Sequence, residues 1–134
     1  MTGVLGRLGQ PGADFLAERH LATLSTVGPG GLIHVTAVGF TLADGVVRVI
    51  TSDGSQKVRN VERDGRATVA QVDGRRWLSL AGTAVVERDP EAVARAEELY
   101  TVRYRPPRVN PRRVVIRLTP ERVLASRSLL APAP

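Results

Sequence analysis

The sequence predicts a mostly antiparallel β-barrel with short helices packed on its outside. Three observations carry that prediction. Short runs rich in Val, Thr and Ile are separated by turn chemistry: "GPGG" at 28–31, "ADG" at 43–45, "DG" at 64–65 and "DGRR" at 73–76. The run from Trp77 to Glu87 alternates, with Leu78, Leu80, Ala84 and Val86 on one face, as a half-buried strand requires. Helical spacing is confined to a few short stretches.

The elements come in a clear order along the chain. Ala13 to Arg19 reads as a short helix, and Leu21 to Val27 as the first strand. After the "GPGG" turn, Leu32 to Leu42 reads as one continuous second strand, and Val46 to Thr51 as the third. Ser55 is a good N-cap, and Val58 and Val61 recur at helical spacing up to Arg63. Arg66 to Val72 and Trp77 to Glu87 make strands four and five. Asp89-Pro90-Glu91 is a helix start made of cap, N1 proline and early acid. Val93, Ala96, Tyr100 and Tyr104 fall on one face of that helix, which Pro106 and Pro107 terminate. A basic loop, "RPPRVNPRR", leads to a sixth strand at Val114 to Leu118 and a short seventh at Arg122 to Ala125. One domain over residues 1–134 is expected, with 1–12 and 129–134 as flexible ends.

Composition excludes several chemistries. There is no cysteine, so there is no disulfide framework and no thiol chemistry. The two histidines, His20 and His34, sit in no zinc-ligand spacing. No GxSxG elbow, no GxxxxGK[ST] loop and no GxGxxG after a strand occurs. No apolar run approaches the ~20 residues that span a bilayer, and the expected location is the cytoplasm. The net charge is +6, carried nearly all by arginine. A GC-rich genome and a polyanionic partner both explain that balance, but the arginines are scattered and aromatics are too few for a nucleic-acid surface. An enzyme with so little side-chain chemistry needs a bound cofactor.

One local feature points to an anion. In "ITSDGSQKVRN", Lys57 falls in the first turn of the helix that Ser55 opens. A helix N-terminus carries partial positive charge, so a cation there is disfavoured unless an anion binds. Backbone N–H groups, the dipole and the ammonium would then converge on one charge.

The blocks "ERHLATLSTVGPGGLIHVTAVGFTL", "VITSDGSQKVRNVERDGRATVAQVDG" and "RWLSLAGTAVVERD" succeed one another in that order. With "RVNPRRVVI", they resemble the flavin/deazaflavin split-barrel family, the fold of pyridoxamine phosphate oxidase. Within it they are similar to the branch of F420-dependent biliverdin reductases. The resemblance runs from about Phe15 to Ser128 and implies a split β-barrel with short peripheral helices. It also implies a homodimer with cofactor sites at the interface and hydride transfer from reduced coenzyme F420 to a conjugated substrate such as biliverdin.

Residue by residue, the resemblance implies that Ser55, Gln56 and Lys57 hold the cofactor phosphate. Thr36, Val38 and Gly39 match the strand against which the ring lies, with Ile50 and Thr51 on its neighbour. A glycine at 39 would admit a flat ring close to the backbone. Gln71 and Trp77 would reach the site from the other subunit. F420 carries a lactyl-oligoglutamate tail, which Arg108, Arg112 and Arg113 would attract. His34, Arg108 and Arg112 are candidate substrate contacts; for His34 the alternative is a plain edge-strand residue. Tyr100 and Tyr104 are read as a packing stripe. Two alternatives stay open: an FMN enzyme on the same fold, and a non-enzymatic carrier of F420 or a tetrapyrrole.

Overall fold

The computed structural model describes residues 3–133. Its elements are α1 (Gln10–Ala17), β1 (Ala22–Val27), β2 (Ile33–Val38), β3 (Thr41–Ala43), β4 (Val46–Ser52), α2 (Gln56–Arg63), β5 (Arg66–Asp73), β6 (Arg76–Glu87), α3 (Pro90–Arg103) and β7 (Arg113–Ala125). The seven strands form one antiparallel sheet in the order β2-β1-β5-β6-β7-β4-β3.

That order dictates a rolled shape. β2 and β3 stand at opposite ends of the hydrogen-bonded order, roughly 29 Å apart in a flat sheet. Yet only Gly39 and Phe40 separate them in the chain, a link that spans about 11 Å at most. The sheet therefore curls until its two edges meet at this corner without pairing. The result is a barrel split along the line between β2 and the β3–β4 hairpin. Phe40 is 1% exposed and anchors the corner in the core. The core fills with Leu24, Val47, Val49, Val69, Leu78, Leu80, Ile116 and Leu118, the inward residues of alternating strands.

Two strand boundaries differ from the sequence reading. The expected strand Leu32 to Leu42 divides at Gly39–Phe40, because the chain leaves β1 there and turns to pair with β4. The expected sixth and seventh strands are one, β7. Pro120 interrupts nothing, because β4 pairs β7 only as far as Leu118 and the prolyl nitrogen meets no neighbour on that side. On the other side β6 shifts register between Ala81 and Gly82, where a Cβ would collide with the Thr119 carbonyl oxygen. Only glycine fits there.

Residues 1–12 and 129–134 are flexible in the sequence reading, but within the described residues they pack on each other. Leu8 bridges Leu130, Gly9 N–H donates to the Leu129 carbonyl at 3.0 Å, and Ala131 N–H donates to the Arg7 carbonyl at 2.7 Å. Leu5, Leu8 and Leu129 are 5%, 6% and 1% exposed, so each end supplies the apolar cover that the other needs. No helix among the described residues is long and apolar enough to cross a membrane.

Candidate functional site

The split in the barrel is a cleft of about 700 Å³. Its floor is the end of β2, from Ala37 to Gly39, and Ile50 and Thr51 of β4. Lys57 stands at one end, and Tyr100 with the Arg105–Arg108 segment forms a roof. These are the two sheet edges that the rolled topology leaves unpaired, so the cleft is a product of the fold.

The head of α2 combines a tight turn, a helix N-terminus and a lysine. Gly54 takes φ 79°, which turns the chain out of β4, and Ser55 comes next in extended conformation as the N-cap. A serine cap ordinarily accepts an N–H of its own helix. Here the Ser55 side chain makes no such bond, and its Oγ is buried without a partner. The N–H groups of the first turn are therefore free of it. Lys57 is half-buried and has no ion-pair partner among the described residues; burial pushes its ammonium below the ordinary lysine pKa. An unpaired cation in the first turn of a helix suits a phosphate, although Ser55 itself does not line the cleft.

α2 itself is held by a residue that the sequence reading passed over. Asn60 is fully buried; its Nδ2 donates to Thr26 Oγ1 of β1 at 3.0 Å, and its Oδ1 accepts from Gln56 at 2.7 Å and Arg63 at 3.2 Å. An asparagine between two valines on a short helix is the signal that was available.

The predicted residues divide into three groups. Val38, Gly39, Ile50, Thr51, Lys57 and Arg108 line the cleft. Thr36 lies on the same face of β2 as Val38, with its Oγ1 buried and unpartnered, like that of Ser55. The remaining residues have other engagements. The Gln56 side chain bonds along its own helix to Asn60 and Arg59, and Gln56 does not line the cleft. Gln71 is 2% exposed and bonded within its own chain, donating to the Phe15 carbonyl and accepting from Arg103, each at 2.8 Å. Arg112 lies outside the cleft and donates to the Asp53 carbonyl at 3.0 Å. Arg113 lines the cleft but is spent on Glu97 and the Arg108 carbonyl, both at 2.6 Å.

At Gly39 a Cβ would meet the rings of Tyr100 and Tyr104 at 3.1 Å. These two rings are tilted by 33° to one another, with centroids 4.8 Å apart. The reading of Tyr100 as packing only is incomplete, because it also lines the cleft. Arg105 and Asn110 join it there. Periodicity within one helix does not show what its end overhangs.

His34 does not line the cleft; it faces inward opposite Thr26, with Nδ1 buried and unpartnered. Trp77 is 44% exposed and sits in a separate apolar depression with Leu21 and Val72, which are 69% and 68% exposed. Ala37 borders both the depression and the cleft.

A family model described as pyridoxamine 5'-phosphate oxidase matches residues 11–127. The chain belongs to the pyridoxamine 5'-phosphate oxidase family. Within the family, it is 52% identical over 132 residues to a protein of Mycobacterium tuberculosis named F420H(2)-dependent biliverdin reductase, covering 97% of this chain and 96% of that one. Among solved structures, a conserved hypothetical protein of Mycobacterium tuberculosis superposes with a TM-score of 0.76 at 30% identity, covering 84% of this chain and 80% of that one. A protein described as an F420 reductase superposes with a TM-score of 0.71 at 26% identity, covering 83% of this chain and 94% of that one.

Proposed function

We propose that this chain binds coenzyme F420 in the cleft and is a reductase acting on biliverdin or a related tetrapyrrole. The observation that carries the reading is the unpaired Lys57 at the head of α2. The name of the 52% identical relative supports F420 over FMN as the group held there.

When bound, reduced F420 supplies a hydride to an electron-poor carbon of the substrate. Lys57 and the first-turn N–H groups of α2 take the phosphate. Val38, Ile50 and Thr51 give a flat apolar bed with one polar edge, which suits a ring system. Arg105 and Arg108, on the roof, attract the acidic tail. The chain's contribution to rate would be orientation, with the cleft residues holding the cofactor ring against the substrate.

The reading includes a homodimer in the cytoplasm. Leu21, Val72 and Trp77 form an exposed apolar face at the border of the cleft, and a second copy is the cover that the reading assigns to it.

Parallel fluorescence titrations with F420 and FMN, then single-turnover oxidation of bound F420H2 by biliverdin, test the proposal. Tight F420 binding with biliverdin-dependent oxidation is expected. Preferential FMN binding moves the activity to the flavin branch, and binding without oxidation makes the chain a carrier.

A further inference from the structure

α3 is attached to the barrel in an unusual way. Of its fourteen residues only Ala96 is buried, so apolar packing does little to fix it. Its C-terminal end is instead tied down by two polar side chains. Arg103 donates to the Glu18 carbonyl at 2.8 Å, to Gln71 Oε1 at 2.8 Å and to the Phe40 carbonyl, while its guanidinium lies 4.6 Å from the centroid of the Phe40 ring. Tyr104 donates its hydroxyl proton to the His20 carbonyl at 2.6 Å and accepts from Phe40 N–H at 3.2 Å. The two residues thus join α3 to the α1–β1 link, the β2–β3 corner and β5. Gln71 completes the arrangement, since its other end holds Phe15.

The roof of the cleft is continuous with this latch. Arg105 comes next in the chain, and Tyr100 lies one turn before. Beneath the latch, Gly39 allows Tyr100 and Tyr104 to lie directly on β2. A planar, multidentate guanidinium suits this task, because it fixes direction as well as distance to three acceptors.

We propose that Arg103 and Tyr104 are positioning residues that seat the roof of the cleft, and through it set the affinity for the cofactor, without touching the cofactor themselves. The proposal rests on the reading of the cleft as a cofactor site. It assigns a role to Gln71 as well, as the internal acceptor that holds Arg103.

Arg103→Met, Arg103→Lys and Tyr104→Phe test it, each read by F420 titration, by kcat at saturating cofactor and by amide hydrogen exchange of the free protein. Arg103→Met is expected to weaken F420 binding about tenfold, the loss of charge-assisted hydrogen bonds, with kcat held within about twofold. Arg103→Lys should recover part of the affinity, because one ammonium replaces some of the bonds. Exchange should accelerate over residues 100–113 and stay unchanged elsewhere in the barrel.

Unchanged affinity in a folded Arg103→Met protein overturns the proposal, as does exchange that accelerates uniformly, which marks a purely structural residue. If Arg103→Met fails to fold, Tyr104→Phe decides, since it removes only the hydroxyl that bonds the His20 carbonyl and Phe40 N–H, and Tyr104 does not line the cleft: weaker F420 binding supports the latch and unchanged binding overturns it. Failure of the wild-type protein to bind F420 defeats the cofactor reading. Exchange then judges the latch alone: acceleration confined to 100–113 supports it and global acceleration overturns it.

Discussion

Several cations on the outside of the barrel are paired with carboxylates, whereas three of the four that line the cleft are not; the fourth, Arg113, pairs with Glu97. Outside, Arg66 meets Asp64 at 2.6 Å, Arg76 lies 3.1 Å from Glu18 and 2.7 Å from Asp73, and Arg88 reaches Asp53 at 2.8 Å and Glu62 at 3.2 Å. Arg76, with a smaller contribution from His20, holds the Glu18 carboxyl down at about 2, and Arg66 does the same for Asp64. In the cleft, Lys57, Arg105 and Arg108 line one cavity, and their side chains have no carboxylate partner among the described residues. The net charge of +6 therefore has an uneven distribution. Arg66, Arg76 and Arg88 are neutralised by neighbouring acids, whereas Lys57, Arg105 and Arg108 keep their charge for the anionic ligand that we propose for the cleft.

The largest expected effect breaks the comparison at its strongest point. Lys57→Met should raise the Kd for F420 roughly 10- to 100-fold, the scale of one lost charge-assisted bond to a phosphate. Its melting temperature should hold or rise, since the fold gains nothing from a half-buried unpaired ammonium. A lower melting temperature with unchanged affinity would make Lys57 a structural residue. The same group sets an alkaline limit. Burial lowers its pKa from the ordinary 10.5, and a bound anion needs the charged form. F420 affinity should therefore fall as pH rises toward 10.5, and the fall should vanish in Lys57→Met.

Asn60→Ala comes next. It strands the Thr26 hydroxyl in the core and should cost about 2 kcal/mol in denaturant unfolding. It should also weaken F420 binding by loosening α2; a stability loss without weaker binding would separate the support of the helix from its function.

A smaller effect sharpens the contrast among the arginines. Arg105→Ala combined with Arg108→Ala should weaken F420 binding severalfold at low salt, on the order of 3- to 10-fold, and this difference should fade at high salt. Arg112→Ala, whose guanidinium already serves the Asp53 carbonyl, should leave affinity unchanged in the same titration.

The smallest effect belongs to the outer surface. Glu18 has a depressed folded pKa, so its contribution to stability is present above about 4.5, the ordinary value, and is lost as pH falls toward about 2. Glu18→Gln should shift the acid-unfolding midpoint slightly at low salt and not at high salt, because the pair is exposed. A large, salt-insensitive shift would mean that the outer pairs carry the fold.

Much of this was legible in the residues. The turn at Asp44-Gly45 has both φ angles positive, 55° and 74°, as a tight hairpin demands, and the residue types announce it. The alternation in β6, the cap at Ser55 and the start of α3 at Asp89 were equally plain. The cap of α3 forms as its sequence implies, with Asp89 accepting from Ala92 N–H at 3.2 Å. Lys57 stood out because its charge opposed the local dipole. Each of these signals lies within a few neighbouring residues.

By itself, the sequence determined the strands, the turns, the helix starts at Ser55 and Asp89 and the one misplaced lysine. It did not determine that Gly39–Phe40 would divide a strand, that Pro120 would be absorbed into β7, or that the chain ends would cover each other. Nor did it decide that Gln71 would turn inward to Arg103, or that the end of α3 would roof the cleft. Those outcomes join residues far apart in the chain: Arg103 reaches Gln71 across 32 positions and Glu18 across 85. Local propensity fixes φ, ψ and the direction of a side chain from its neighbours. The place where two sheet edges meet, and what overhangs the gap, depends on the accumulated twist of seven strands. Only the closed set of tertiary contacts specifies that sum.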